Sequence, residues 1–220
     1  MDAFICDAIR TPIGRYGGAL SKMRPDDLAA HVIKGLMDRH PLLEPMAIDE
    51  VIFGAANQAG EDNRNVARMA LLLAGLPVEV PGSTINRLCA SGMDAVASVA
   101  RGIRAGDYEV AIAGGVESMS RAPFIMPKAD TAFSRSNQIF DTTIGWRFIN
   151  PKIEASFGVD SMPETADNVA SEYKVAKADQ DAFALRSQQR WAAANAAGIF
   201  ANEILPVHIE QRRGDTIVID

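Results

Sequence analysis

Cys89 is the residue of this sequence that could most readily do chemistry. It lies in the stretch NRLCASGMD, residues 86–94, between a strand-like run and a helix-like run. In a parallel sheet, ligands bind outside the carboxyl ends of the strands, where the following helices begin. A thiol at such a junction can act as a nucleophile. The residues alone leave two interpretations open, a nucleophile or a small, inert core side chain.

A thiol at a helix start needs more than the helix to become a strong nucleophile. A helix N-terminus stabilises an anion by typically about 0.3–1 kcal/mol, so full activation needs a base. His31 lies opposite the apolar stripe of its helix and is expected to face solvent. His40 ends that helix and is explained by the helix dipole, while alternation places His208 on the polar side of a strand. None of the three is expected to meet Cys89.

The residues next to Cys89 have alternative explanations. Ser91 is a weaker nucleophile candidate and is expected to help cap the following helix. Gly92 costs that helix about 1 kcal/mol relative to alanine. We therefore expect another helix or a substrate to approach the backbone there. The pair Gly114-Gly115 ends a strand, and a close helix–strand contact explains it better than a ligand does.

Several well-known sites are missing from the sequence. It has no GxGxxG, GxxxxGK[ST] or GxSxG motif, so dinucleotide-binding, P-loop and serine-hydrolase functions lose their main support. Its two cysteines, Cys6 and Cys89, form no CxxC or Cys/His cluster, so no metal site is expected. Reduced thiols in the cytoplasm are the simpler explanation for two such distant cysteines.

Composition indicates a soluble globular protein. The chain has 220 residues, of which 48% are hydrophobic and 23% charged. Its net charge of −6 argues against a nucleic-acid partner, which requires a basic face. The N-terminus lacks the features of a signal peptide, and the longest apolar run is too short to span a bilayer. These features predict a cytoplasmic protein that binds neither nucleic acid nor membrane.

The elements around Cys89 alternate between strand and helix. Hydrophobic periodicity predicts strands near residues 3–9, 51–54, 80–88 and 110–113, and helices near 25–40, 66–74 and 93–106. The strands are too apolar to be open to water on one side. The pattern therefore predicts the α/β class, with a parallel sheet covered by helices on both faces.

The pattern changes after residue 119. Residues 120–160 are rich in Pro, Gly, Ser and Asn. A capping box at 161–164 opens a helix, a longer helix runs over about 179–197, and a hairpin is predicted for 204–220 around Arg212–Asp215. We therefore predict a domain over 1–119 and a less regular one over 120–220. Five aromatic residues of the second domain either line a channel or pin an irregular segment: Phe124, Phe133, Trp146, Phe148 and Phe157.

The residues around Cys89 resemble the thiolase family. The resemblance extends to DAIRTPIG (7–14), AGGVESMS (113–120), TADNVA (165–170), QDAFA (180–184) and RGD (213–215). These blocks keep their order and spacing over essentially the whole chain. The segments DTTIGWRF (141–148) and GVDSMPET (158–165) are most similar to the β-ketoadipyl-CoA branch of that family.

The resemblance implies a two-step acyl transfer between coenzyme A thioesters. Cys89 would be the acyl-accepting nucleophile, and its backbone N–H would be an oxyanion-hole donor. Met162 matches a position that lines the pantetheine channel. Coenzyme A and acyl-CoA would be substrates, with no permanently bound cofactor, and a homo-oligomer is the expected assembly. Alternatives are an acetyl-CoA C-acetyltransferase, a condensing enzyme related to ketoacyl synthases, and a non-catalytic CoA-binding or assembly module.

Members of the family are nearly twice as long as this chain. Their second half supplies an activating histidine in a Gly-His-Pro context and an acid/base cysteine in a Cys-Gly-Gly context, and neither context occurs here. The resemblance implies a thiolase N-terminal α/β domain over 1–119, a partial loop domain that covers CoA over 120–220, and no C-terminal thiolase domain. We therefore expect that the 220-residue chain does not turn over by itself.

Overall fold

A computed structural model describes residues 2–210 and 216–220 of the chain. They form two compact units, Met1–Ile125 with Glu203–Asp220, and Met126–Asn202. The segment after residue 202 thus belongs with the first unit by its contacts. The predicted functional division at residues 119 and 120, with a loop domain that covers CoA, stays a prediction.

The described residues contain helices and strands with the following bounds. The helices are α1 (Pro25–Arg39), α2 (Val66–Leu73), α3 (Ser91–Ala105), α4 (Pro151–Phe157), α5 (Met162–Glu172) and α6 (Lys177–Ala196). The strands are β1 (Glu50–Gly54), β2 (Gly82–Ile85), β3 (Ala111–Gly115), β4 (Phe124–Ile125), β5 (Phe140–Asp141), β6 (Val207–Ile209) and β7 (Ile217–Ile219). Short 3₁₀ turns cover Ala19–Lys22, Pro45–Ala47 and Met119–Arg121.

The centre of the first unit is a parallel sheet with the strand order β2-β1-β3. Val51 lies opposite Gly82 on one neighbouring strand and Ile112 on the other. Side chains alternate between the faces of a strand. Val51 and Phe53 accordingly pack in a core with α1 and α2, while Ile52 packs against α3. The predicted α/β fold with helices on both faces is confirmed.

Local signals in the sequence set the ends of the three helices. Pro25 occupies the first turn of α1, where its missing N–H costs nothing. Gly75 follows the end of α2 and Gly106 caps α3, with φ angles of +88° and +87°. Glycine adopts this left-handed conformation without steric cost, so each helix stops where the sequence predicts.

The predicted strand over residues 3–9 is wrong. Within the described part of the chain these residues pair with no strand, and Phe4 and Ile5 are each 79% exposed. Its backbone is held where the segment ends, as the Arg10 amide donates to Glu203 O (2.8 Å) and the Leu205 amide donates to Arg10 O (2.8 Å). An apolar run becomes a strand only when another strand satisfies its backbone groups, and no described strand pairs with this one.

The predicted terminal hairpin has the expected antiparallel strands. Val207 pairs with Ile219 and Ile209 with Ile217, and the buried side chains of Val207 and Ile209 pack with Leu20. The predicted turn at Arg212–Asp215 lies outside the described residues.

The second unit is built mainly from α4, α5 and α6. The capping box at the start of α5 is confirmed, because Ser161 and Glu164 each accept a hydrogen bond from the other's amide. Helix α6 has no buried residue over its 20 positions. The five aromatic residues named above are 52–99% exposed, so they do not pin the segment into a core of this structure. No helix among the described residues is long and apolar enough to cross a bilayer.

Candidate active site

The turn between β2 and α3, residues 86–90, carries Cys89. Leu88, directly before the cysteine, has φ = +48°. Such a left-handed backbone costs a residue with a side chain on the order of 1–3 kcal/mol, and it persists only where its surroundings hold it. One holding contact is local, since the Leu88 amide donates to Asn86 Oδ1 at 2.9 Å.

Ser91 holds the same turn from the other side. Its hydroxyl accepts a hydrogen bond from the Arg87 amide (2.8 Å) and donates one to Leu88 O (2.6 Å). The side chain is buried, with 5% of the residue exposed. The prediction that Ser91 caps α3 is wrong, because Ala90 occupies the N-cap position and no side chain caps this end. Ser91 closes the turn instead, and its two hydrogen bonds disfavour it as a nucleophile.

Glycines let the sheet approach this turn closely. A Cβ on Gly54, at the end of β1, would lie 2.3 Å from the carbonyl carbon of Ser91 and 2.5 Å from Gly92 N. A Cβ on Gly115 would lie 3.4 Å from Gly92 Cα. The expectation that another helix approaches Gly92 is wrong, because the ends of the strands come close to its backbone instead. A helix–strand contact explains Gly115, as predicted.

Side chains join the segments that follow the three parallel strands. Glu117, after β3, accepts hydrogen bonds from the amides of Ala56 (2.8 Å) and Asn57 (3.3 Å), which follow β1. Asn86, after β2, donates its Nδ2 to Ala56 O at 2.9 Å. The carboxyl edge of the sheet thus forms one connected layer, and Cys89 lies in it.

The first turns of α3 carry an ion-pair network. Arg87 Nε donates to Asp94 Oδ2 at 2.9 Å, and Arg101 lies 3.6 Å from the same carboxylate. The hydrogen bond from Arg87 is the main reason that the pKa of Asp94 lies below its ordinary value. The carboxylate therefore stays charged near neutral pH and holds the Arg87 side chain over the start of the helix.

Cys89 itself is exposed and free, as is Cys6. The amides of Ala90 and Ser91 donate to the carbonyls of Arg87 (3.1 Å) and Leu88 (3.0 Å). Within the described part of the chain, the Cys89 amide makes no comparable bond. Among the described residues, an exposed residue thus combines a free thiol with an N–H that donates to no backbone carbonyl, at the start of α3. This pair is what an acyl-accepting nucleophile with an oxyanion donor requires.

The three histidines lie away from the described contacts of Cys89. The prediction that His31 faces solvent is wrong: it is half-buried, and its Nε2 donates to Pro206 O at 2.9 Å. His40 ends α1 as predicted and contacts Asp7 Oδ2 at 3.0 Å, and His208 is exposed as predicted. Among residues 2–210 and 216–220, no hydrogen bond joins a histidine to Cys89.

Two further possibilities are the predicted substrate contact of Met162 and a metal site. Met162, predicted to line the pantetheine channel, is the first residue of α5 and is 68% exposed. Its contact with substrate stays a prediction. Nowhere in the described residues do three or more His, Cys, Asp or Glu side chains form a group that could hold a metal ion.

Sequence reasoning missed the roles of Asn86 and Glu117. A signal for Asn86 was present, because asparagine commonly bonds the backbone two residues later in a turn. No local signal marks Glu117, whose hydrogen-bonding partners Ala56 and Asn57 lie 61 and 60 residues away.

Comparison with known proteins adds a family to this geometry. Residues 3–220 match the family model described as "Thiolase, N-terminal domain". The chain is 66% identical over 217 residues to a β-ketoadipyl-CoA thiolase from Pseudomonas putida, a match that covers 99% of this chain and 54% of that protein. It is 64% identical over 213 residues to a 3-oxoadipyl-CoA/3-oxo-5,6-dehydrosuberyl-CoA thiolase from Escherichia coli, covering 97% and 53%. A crystal structure of the Bacillus anthracis acetyl-CoA acetyltransferase is similar with a TM-score of 0.83 and 36% identity, covering 96% and 51%. The chain thus spans about half the length of the relatives that it matches.

Proposed function

The chain belongs to the thiolase family, and from this premise we propose that Cys89 is the nucleophile of a thiolytic acyl transfer between coenzyme A thioesters. The observation that carries the proposal is the exposed thiol of Cys89 at the start of α3, beside its own amide, which donates to no backbone carbonyl in the described residues. Exposure allows a thioester to reach the sulfur. The amide is available for the oxygen on which negative charge develops.

The proposed chemistry has two steps. In the first, the Cys89 thiolate attacks the 3-keto carbon of a 3-oxoacyl-CoA, and the Cys89 N–H donates to the resulting oxyanion. The bond between C2 and C3 then breaks, the departing enolate takes up a proton, and acetyl-CoA leaves an acyl-Cys89 thioester. In the second step, the thiolate of free CoA attacks this thioester, which releases the shortened acyl-CoA and regenerates the Cys89 thiol.

We propose 3-oxoadipyl-CoA as the substrate, with succinyl-CoA and acetyl-CoA as products. The support is the identity of 59–66% to proteins named β-ketoadipyl-CoA thiolase, over almost all of this chain. Coenzyme A takes part as a substrate, and no resident cofactor enters the proposed steps.

An acetyl-CoA acetyltransferase is the second candidate function. It is favoured by the similarity to the B. anthracis enzyme and by 43% identity to an acetyl-CoA acetyltransferase from Chromobacterium violaceum. Both identities are lower than those to the β-ketoadipyl-CoA thiolases. We therefore rank this function second.

The test is acetyl transfer from acetyl-CoA to the purified 220-residue chain, followed by intact mass and peptide mapping. We expect one acetyl group on Cys89, its complete loss in Cys89→Ala, and its retention in Cys6→Ala. Since no histidine is hydrogen-bonded to Cys89 among the described residues, we expect a single acylation without turnover. Acetylation that persists in Cys89→Ala, or none in the unmodified chain, would overturn the proposal.

Assembly and location are further parts of the proposal. We expect a homo-oligomer, because the chain exposes many large apolar side chains, such as Phe183 and Trp191. A single monomeric species in sedimentation velocity would contradict this expectation. The two free cysteines favour a reducing compartment such as the cytoplasm.

A further inference from the structure

We infer that Asn86 and Ser91 are positioning residues that hold the Leu88–Cys89 segment in the backbone conformation needed for acyl transfer to Cys89. The inference deepens the proposed function and rests on Cys89 as its nucleophile. Neither residue needs to touch the substrate. Their effect would pass through the backbone of Leu88 to the thiol and N–H of the next residue.

The conformation that they hold is one that Leu88 does not favour. Its φ of +48° is left-handed, and its side chain gains no buried packing in return, because Leu88 is 71% exposed. Strain without compensating burial, one residue before a nucleophile, is typical of functional sites. The surroundings must therefore supply the stabilisation.

The two positioning residues hold both polar groups of Leu88. Asn86 Oδ1 accepts from its amide at 2.9 Å, and Ser91 Oγ donates to its carbonyl at 2.6 Å. The Ser91 hydroxyl also accepts from the Arg87 amide at 2.8 Å, so it connects two successive peptide groups. With both ends of Leu88 fixed, the direction of the Cys89 N–H follows.

The two positioning residues are in turn fixed to the sheet. Asn86 donates to Ala56 O, and the adjoining backbone is held by Glu117. Ser91 is buried against Gly54, where a Cβ would lie 2.6 Å from Ser91 Cβ. The turn is therefore held by the carboxyl edge of the sheet and cannot relax by moving as a loop.

Two reactions of the same thiol separate positioning from simple reactivity. p-Nitrophenyl acetate acylates a cysteine: the S–C bond forms, an oxyanion develops, and the C–O bond breaks to release p-nitrophenolate, while the thiol proton passes to solvent. Iodoacetamide alkylates the thiolate by displacing iodide and forms no oxyanion. Both reagents act without CoA, and Cys6, also exposed, serves as the internal reference in each measurement.

The experiment compares Ser91→Ala with Ser98→Ala in the 220-residue chain. Ser98 lies on the same helix, and its hydroxyl accepts from Arg101 and makes no contact with the backbone of the turn among the described residues. We expect Ser91→Ala to lower acylation of Cys89 relative to Cys6 by roughly tenfold or more, because an oxyanion donor is misplaced. Alkylation relative to Cys6 should change by less than about threefold, because it depends only on the thiolate. Ser98→Ala should leave both ratios unchanged.

Asn86→Ala provides a second variant if Ser91→Ala does not fold. Asn86 is exposed, and its loss removes only the hydrogen bonds to Leu88 and Ala56. Acylation of Cys89 should fall in the same selective way. The inference is overturned if acylation is unchanged in the folded variants, if acylation and alkylation fall together, or if Cys89 of the unmodified chain shows no preference for acylation over Cys6.

Failure of this inference can be distinguished from failure of the proposed function. If Cys89 responds to p-nitrophenyl acetate as described but takes no acetyl group from acetyl-CoA, the proposed function fails and the positioning inference stands. If acetyl-CoA acylates Cys89 equally well in Ser91→Ala, the function stands and the inference fails.

Discussion

The two cysteines are both exposed, but they lie in segments whose backbones are held very differently. Cys6 lies in an extended segment with no strand partner among the described residues, whereas Cys89 lies in a turn with a hydrogen bond at nearly every peptide group. Both thiols are free and open to solvent. The difference indicates that access alone does not make a thiol a site for acyl transfer. What distinguishes Cys89 is a backbone forced into one conformation by the strands behind it.

Amide hydrogen exchange gives the largest expected contrast between the two segments. Residues 3–6 have no backbone hydrogen bond among the described residues, so their amides should exchange at close to unstructured rates. Val51–Phe53, in the centre of the sheet, should be protected by at least about a thousandfold, because their exchange requires extensive unfolding. The Ala90 and Ser91 amides should lie between these limits. Strong protection at residues 3–6 would show that the segment is paired in solution, which would remove the contrast.

Much of the fold behind Cys89 could be predicted from local sequence. The apolar spacing and Gly106 indicate α3, and the apolar run at 51–54 indicates β1. These elements form because their apolar side chains are buried on the two faces of one sheet. The hydrophobic periodicity of the sequence indicates that burial directly.

Other features depend on residues far apart in the chain. The segment at 3–9 has the composition of a strand, but pairing needs a neighbour that composition does not reveal. His31 is half-buried because Pro206, 175 residues later, accepts its hydrogen bond. Ser91 has the residue type of a cap, and only the folded turn shows that its partners are Arg87 and Leu88. The candidate nucleophile could therefore be predicted, but the contacts that hold it could not.

The role of the sheet in holding the Cys89 turn can be tested with two glycines. In Gly54→Ala the new Cβ would lie 2.3–2.6 Å from Ser91 and Gly92 atoms, mostly backbone. Overpacking of this kind should lower the free energy of unfolding by about 1–3 kcal/mol. Chemical denaturation measures this change, and the acylation ratio of Cys89 to Cys6 should fall with it.

Gly92→Ala is the matched control for this substitution. The nearest atom to its new Cβ would be Gly114 O at 3.9 Å, so the side chain fits. Because alanine favours a helix over glycine, stability should stay the same or rise by up to about 1 kcal/mol. Equal destabilisation by both substitutions would show that the close approach at Gly54 does not matter.

The smallest expected effects concern one carboxylate in each segment. The hydrogen bond from Arg87 lowers the pKa of Asp94, and hydrogen bonds from the Ala8 amide and His40 lower that of Asp7, both from an ordinary value of 3.8. A lowered carboxyl pKa stabilises the fold above the ordinary value, and this contribution is lost as the pH falls through the lower, folded value. Asp94→Asn and Asp7→Asn should therefore each lower Tm slightly at pH 7, by no more than about 2 °C for exposed pairs, and have less effect below pH 3.8. Thermal unfolding between pH 7 and pH 3 measures both changes in Tm.

Only Asp94→Asn should also change the acylation of Cys89, since Arg87, the partner of Asp94, lies in the turn that carries Cys89. An equal change in Asp7→Asn would mean that the two segments are coupled, and Cys6 could then no longer serve as an independent reference.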